Sequence, residues 1–343
     1  MPLSPDFTVK LDGRDLTSKI APRLIRLSIR ECRADEADTL DLVLDDSDGK
    51  LAIPPRGAVL AVAIGWTGSQ LVDKGLFTVN EAEHAGTPDT ITLRARSASM
   101  TKGMGERREK SWHGQALADI VKTIAARHEL KPLVGAALGA VKIDHVDQTH
   151  ESDMAFLTRL AKRYDAVMTV KADNLLFVPI GQGTTASGKT LPVIALTRAD
   201  GDSHRYHVSE RETYSGVKAH WYSNGEKKRH SVTVGGETNT NLKVLPETYT
   251  SQAEAEAAAA AEFKRTQRSQ ATFALGLAIG RPELFPELPV TVAGWKDEID
   301  SIPWLVQNVT HDISDGGYTN SIELEMRDDP ASDKHRDNFR RGA

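Results

Sequence analysis

Apolar and polar residues alternate through much of the first hundred positions. Phe7-Thr8-Val9-Lys10-Leu11, Leu24-Ile25-Arg26-Leu27-Ser28-Ile29-Arg30 and Thr39-Leu40-Asp41-Leu42-Val43-Leu44 follow this pattern, which predicts strands with one face on a core and the other on solvent or a partner. Two stretches near opposite ends of the chain then share an order of parts. Val59 to Ile64, a Gly65-Trp66 turn, Leu76-Phe77-Thr78-Val79, His84 and Thr90 to Arg94 are matched by Pro289 to Ala293, a Gly294-Trp295 turn, Trp304 to Val309, His311 and Ser321 to Met326. The pattern predicts a duplicated β-domain within one polypeptide.

Between the copies the period changes. Leu117, Ile120, Val121 and Ile124 lie on one helical face, so a helix is expected from an N-cap at Ser111 to about His128. A second helix, capped by Ser152, carries Phe156, Leu157, Leu160, Ala161 and Tyr164. Leu138 to Ile143 reads as a strand, and 166–170 with 174–178 as a hairpin around Ala172-Asp173. Further on, 193–196, 205–208 and 214–222 read as strands, the last closing a hairpin at Asn224-Gly225. From Ser251 to about Gln270, alanines and glutamates predict a helix thin enough to pack closely on a sheet.

The expected fold is therefore mainly β with α+β: two related β-barrel-like domains, a small inserted α+β module and an Ala-rich helix. The expected boundaries are 1–103 for the first β-domain, 104–182 for the module, 183–192 for a linker, 193–329 for the second β-domain including helix 251–270, and 330–343 for a polar tail.

Composition adds mostly exclusions. The 343 residues, 39% hydrophobic and 27% charged, are ordinary for a globular protein with more than one core. A formal charge of -5 gives no clustered basic footprint for tight nucleic-acid binding. The single cysteine, Cys32, can form no intrachain disulfide and reads as a half-buried strand position. The first residues lack a basic and apolar leader, and no apolar run reaches membrane-spanning length, so no membrane anchor is expected and assembly is expected in the bacterial cytoplasm.

Three stretches invite chemistry. The acidic run Asp35, Glu36, Asp38, Asp41, Asp45, Asp46 and Asp48 reads as a solvated strand edge; a calcium loop is excluded because Asp45-Asp46-Ser47-Asp48-Gly49 has no closing glutamate at the required offset. Gly183-Thr184-Thr185-Ala186-Ser187-Gly188-Lys189-Thr190 matches the phosphate-loop pattern, yet Leu191-Pro192-Val193-Ile194-Ala195-Leu196 follows where a helix must open, so it reads as a linker that binds no nucleotide. The aromatic and histidine set His204, Tyr206, His207, Tyr214, His220, Trp221 and Tyr222 is spread by strand alternation over both faces and reads as packing. No His-Glu-x-x-His or Gly-x-Ser-x-Gly motif is present. No catalytic, cofactor-binding or metal-ligating residue is singled out, and no cofactor is expected.

The order of parts carries a resemblance. The segment from Gln148 to Ala161, ending Phe156-Leu157-Thr158-Arg159-Leu160-Ala161, together with Ala271 to Leu277, Gly280-Arg281-Pro282-Glu283-Leu284 and the final Gly-Trp copy, resembles the late control gene D family. These are baseplate hub proteins of contractile-tailed phages and similar particles such as bacteriocins, related to the hub portion of type VI secretion spikes. The resemblance implies a structural, non-enzymatic homotrimer whose duplicated β-domains form a six-fold-like collar between a hexameric tail tube and a trimeric central spike. The implied partners are the spike, a tube or tube-initiator protein, wedge proteins and the tape-measure protein. The alternative within the family is a hub-associated peptidoglycan hydrolase, for which paired carboxylates in a cleft or a zinc site would be expected. If a channel runs through the collar, Asp35, Glu36, Asp38 and Asp41 are expected near its lumen or rim.

Overall fold

Among the described residues thirteen strands share one sheet. The computed structural model describes residues 3–33, 36–97, 103–171, 173–208, 214–223, 225–236 and 241–327; Asp35, Ala172, Asn224 and the expected 330–343 tail lie outside them. Within the large sheet the duplication holds strand for strand. In the first copy the spatial order is Pro5–Leu11, Val59–Trp66, Val72–Ala85, Thr90–Ser97, Thr39–Asp45, Leu24–Cys32. In the second it is Ile194–Thr197, Pro289–Ala293, Trp304–Ser314, Gly317–Met326, Ala271–Leu277, Gly201–Val208. Both copies take their six strands from the chain in the same sequence, a permutation that chance does not reproduce.

Irregularities recur as well. The register skips between Val79 and Glu81 in one copy and between Val306 and Asn308 in the other, and again between Leu24 and Arg26 and between Gly201 and Ser203. Bulges re-aim a strand locally, so their shared positions mean shared curvature. Val79 N–H donates to Ala58 O at 2.9 Å, as Val306 N–H donates to Leu288 O at 3.0 Å, which fixes Val79 as the counterpart of Val306. Two differences stand: Pro5–Leu11 runs antiparallel to its neighbour whereas Ile194–Thr197 runs parallel, and the register skip between Val62 and Ala63 has no counterpart in the two-pair ladder of Pro289–Ala293 with Trp304–Ser314. The mainly β class with α+β holds, but neither six-stranded unit closes into a barrel among the described residues, because the first and last strands of each order do not pair.

The two units are joined edge to edge. Strand Leu24–Cys32 pairs antiparallel with the outer half of Trp304–Ser314, from Asn308↔Cys32 to Ser314↔Arg26. The first core, with Leu27, Ile29, Leu40, Leu42, Leu60, Val62, Phe77 and Val79, also takes in Ile313 and Tyr318 from the second unit. Burying a side chain of this kind contributes about 1.5–3 kcal/mol, so the seam is hydrophobically continuous. The second core gathers Phe273, Leu275, Val290, Trp304, Val306, Val309, Ile322 and Leu324.

The module between the copies departs from expectation at its start. Ser111 caps no helix: Arg107–Ala116 is a strand pairing with Lys142–Ser152, and the helix is Leu117–Arg127. The strand is mostly polar, with only Trp112 fully buried, against Phe156 at 6.0 Å between ring centroids, so its alternation is faint. Ser111 Oγ instead donates to Asp147 across the ladder at 2.6 Å. The expected strand 138–143 is a short helical turn, Ala136–Gly139, followed by the strand from Lys142. Helix Asp153–Arg163 begins as expected, Ala155 N–H donating to Ser152 Oγ at 3.1 Å. Ala166–Lys171 and Asn174–Pro179 form the hairpin, joined in parallel by Lys131–Val134.

Between Gly201–Val208 and Ala271–Leu277, strands Gly216–Ser223, Lys228–Gly235 and Leu242–Tyr249 form a separate small sheet. Helix Gln252–Arg268 packs on it through Ala255, Ala258 and Ala259, with Val217 and Ala219 beneath, the close approach that small side chains allow.

Candidate functional site: a buried charged seam

Charge is concentrated at the seam between the two β-units. Glu31 is inside because it continues the apolar phase of Leu27 and Ile29; His311 likewise falls between Val309 and Ile313, and both are buried. Glu31 accepts from Lys74 Nζ at 2.6 Å and Lys171 Nζ at 3.3 Å, and its Oε2 lies 3.2 Å from His311 Nε2. Lys74 Nζ also donates to Leu284 O at 3.1 Å, and Lys171 Nζ reaches Asp38 at 3.2 Å. Asn320 Oδ1 accepts from Arg281 N–H at 2.5 Å, which turns its amide nitrogen to His311 Nδ1 at 2.8 Å. The Tyr318 hydroxyl also lies 2.7 Å from Nδ1 and Lys74 Nζ lies 3.0 Å from Nε2, so both imidazole nitrogens of His311 sit in polar contacts.

Burial pushes the Glu31 carboxyl up, but the His311 hydrogen bond and the Lys74 and Lys171 charges outweigh it and hold the group below the usual carboxylate range. Burial lowers Lys74 and His311 from their ordinary values and raises Asp38. A buried lysine and glutamate each need the other, since an unpartnered charge in the interior costs several kcal/mol.

A second run of buried charges lies beside the first. Arg33 pairs with both Glu287 and Glu325. Glu325 also meets Arg268 Nε at 3.0 Å, and Arg268 clamps Asp165 through two bonds of 2.7 and 2.5 Å. Arg33, Glu325, Arg268 and Asp165 come respectively from the first β-unit, the second, the Ala-rich helix and the α+β module. One line of alternating charge thus ties four substructures together. Arg33, Glu325, Arg268 and Asp165 were not singled out in the sequence; an ionisable residue in the buried phase of a strand is the signal that marks Glu31, His311 and Glu325.

The acidic run is corrected here. Asp38 and Asp46 are buried rather than solvated, Asp46 accepting from Leu51 N–H at 2.9 Å. Glu36 and Asp41 are exposed, so these residues do not line a common surface, and Asp38 faces Lys171. Cys32 is half-buried in its strand, and burial first of all pushes its thiol up, which makes it a poor nucleophile. The phosphate-loop look-alike is a tight turn bridged at Thr184↔Thr190, with Thr185 N–H donating to Lys189 O at 2.7 Å. It leads into strand Ile194–Thr197, so no helix dipole faces it.

A shallow surface cleft of about 640 Å³ lies on the module, lined by Arg107, Asp147, His150, Glu151 and Arg159 among others. Its carboxylates are committed. Arg159 clamps Glu151 at 2.7 Å, and the Ser111 hydrogen bond lowers Asp147, the opposite of what a general acid requires. Among the described residues no group of three or more His, Cys, Asp or Glu is placed to hold a metal ion, and no helix is long and apolar enough to cross a membrane.

Buried ionisable groups thus join the two units of a duplicated β fold. The chain belongs to the phage tail baseplate hub (GPD) family, whose model matches residues 39–317. It is 40% identical over 364 aligned positions to the probable baseplate hub protein of Escherichia phage P2, covering 95% of this chain and 94% of that one. Its fold matches the tail protein from Neisseria meningitidis MC58 with a TM-score of 0.70 at 15% identity, over 94% of this chain and 96% of that one. It also matches the E. coli c3393 protein, a component of the type VI secretion system, with a TM-score of 0.56 at 14% identity, over 90% of this chain and 74% of that one.

Proposed function

We propose that the chain is the baseplate hub of a contractile tail, three copies forming a ring that adapts a hexameric tail tube to a trimeric central spike, without enzymatic activity. The observation that carries this reading is the duplication: two sheet units of the same strand order, with two matching bulges, in each chain supply six quasi-equivalent units from three chains. The buried charged seam supports it, because units locked at fixed geometry within a chain can impose a fixed geometry on the ring. The spike and the tube or tube-initiator protein are the direct partners on this reading, with wedge and tape-measure proteins beyond. Native mass measurement of the protein with its spike tests it: three hub chains per spike trimer are expected, and a dimer or tetramer of hub chains contradicts it.

A further inference from the structure

One side-chain cluster lies away from the charged seam, on the α+β module. Strands Arg107–Ala116 and Lys142–Ser152 pair only with each other among the described residues, and Trp112 and Val146 turn one face of this ribbon to the module's core. The other face carries His113 directly across from His145, and Ser111 directly across from Asp147. Residues opposed in an antiparallel ladder have Cβ atoms about 4.5–5.5 Å apart, so the two imidazoles meet. Their ring centroids are 4.5 Å apart at an interplanar angle of 23°, and the two Nδ1 atoms stand 2.9 Å from each other. His113 is exposed and the His145 side chain is 40% exposed, so both rings are open to solvent.

Asp147 sets the state of the pair. One of its oxygens lies 3.1 Å from His145 Nε2, and the other accepts from Ser111 Oγ at 2.6 Å. The Ser111 hydrogen bond above all, with His145 adding to it against a smaller opposing effect of burial, lowers the Asp147 pKa and keeps the group a carboxylate at neutral pH. A carboxylate accepts and cannot donate, so His145 Nε2 carries a proton and the neutral ring leaves its lone pair on Nδ1, the atom beside His113. A histidine whose one nitrogen is held by a carboxylate while the other is presented for coordination is the usual setting of a metal ligand.

We propose that His113 and His145 bind one late transition metal ion of tetragonal preference, copper(II) or nickel(II), through their Nδ1 atoms, with water in the remaining positions and Asp147 as the positioning residue. Two nitrogens each about 2.0–2.1 Å from one ion stand about 2.9 Å apart when held at a right angle, and about 3.3 Å apart at the tetrahedral angle. The observed 2.9 Å is the right-angle value, which suits copper(II) or nickel(II) better than zinc. The near-parallel rings must turn for both lone pairs to converge on the ion, and the histidine χ2 torsion is soft enough to allow it. The ion clips the two strands together on the face that the module's core does not hold. A hydrogen bond between the rings has the same length, and metal binding separates the two readings.

Calorimetric titration of the full chain with copper(II), after treatment with a chelator and in a non-coordinating buffer at about pH 7.5 where imidazole is neutral, tests the site. The chain has 11 histidines, so the difference between variants is what counts. One equivalent of copper(II) is expected to be lost in His113→Ala and in His145→Ala alike, and kept in His150→Ala, which lies on the same strand as His145 but outside the pair. Asp147→Asn is expected to weaken that equivalent about 10- to 100-fold while the melting temperature of the metal-free protein stays in place, a split that a merely structural carboxylate does not produce. Electron spin-echo spectra of the wild type with one equivalent are expected to show two coupled imidazoles. Binding of the same stoichiometry and affinity in the wild type and both alanine variants overturns the site and leaves the rings a hydrogen-bonded pair. A single coupled imidazole in the wild type, or a two-imidazole signal that survives in His145→Ala, overturns the chelate, and an affinity unchanged in Asp147→Asn removes Asp147 from it.

Discussion

Glu31 shows how a single residue can set the behaviour of the seam. Its carboxylate accepts from Lys74 and Lys171 and lies 3.2 Å from His311 Nε2, so removing it leaves Lys74, whose side chain is 3% exposed, as a buried charge without its carboxylate partner. Glu31→Ala is expected to lower the unfolding free energy by roughly 3–5 kcal/mol, and Glu31→Leu combined with Lys74→Met by clearly less than the sum of the single changes. Chemical denaturation of Glu31→Ala, Glu31→Leu, Lys74→Met and the double variant measures both. His311 adds a pH dependence. Burial above all lowers its pKa, against the opposing Glu31 hydrogen bond, so the unfolded chain binds more protons than the folded one once pH falls through about 6.5. Its contribution is complete above that value and lost on acidification. Glu31 acts in the same direction lower down, through the carboxylate range, where Asp38 and Glu287, both raised by burial, act oppositely. Between about pH 7.5 and 5.5 melting temperature is expected to fall more steeply with pH in the wild type than in His311→Gln. Equal slopes for the two proteins would remove His311 from this role.

At the scale of elements, the seam is stapled by close approach as well as by charge. Trp66 Nε1 donates to Gly280 O at 2.9 Å while its ring lies 5.3 Å from that of Tyr318. A Cβ on Gly280 would come within 2.4 Å of the Tyr318 ring. Gly280→Ala is therefore expected to destabilise the junction by about 1–3 kcal/mol through overpacking, seen as a lower midpoint in thermal melts. The tight turn 183–190 makes the contrasting case. Lys189 is exposed and the turn leads into a strand rather than a helix, so Lys189→Ala is expected to change stability by no more than about 0.5 kcal/mol. Millimolar ATP is expected to leave the melting temperature of wild type and variant alike unmoved; a rise confined to the wild type would establish a nucleotide site.

At the scale of the whole molecule, the second unit is interrupted where interruption is cheapest. Val208 and Ala271, which flank the inserted sheet and helix, are direct partners in the ladder, so a short turn in place of residues 209–270 can close the strands without moving them. The deletion also removes Arg268 and leaves Asp165 buried without that partner. The prediction is a folded but weakened protein that Asp165→Asn partly restores, by circular dichroism and denaturant titration. Loss of all cooperative unfolding in both proteins would mean that the insertion is part of the folding core rather than an addition to it.

The duplicated strands, the Ser152 cap and the Ala-rich helix were legible because each is a local pattern: alternation, a capping side chain and helix propensity leave their mark within a few consecutive residues. The Gly-Trp pair used to align the copies was a weaker guide. The ladder sets Val59 opposite Thr78 and Pro289 opposite Leu305, one residue off from the Gly-Trp match; Trp66 goes to the seam and Trp295 packs on Phe273. The strand 107–116 was lost because polar side chains cover it and only Trp112 is fully buried. Glu31, Lys74, His311 and the line from Arg33 to Asp165 could not be assembled from sequence at all, since their members stand up to 292 positions apart. Sequence by itself determined that the fold is mainly β, that it is duplicated and that it belongs with the tail hubs. Which charges are buried, and which strand edges remain open, was decided only when distant strands paired, because burial and ladder hydrogen bonds depend on neighbours that no local stretch of chain contains.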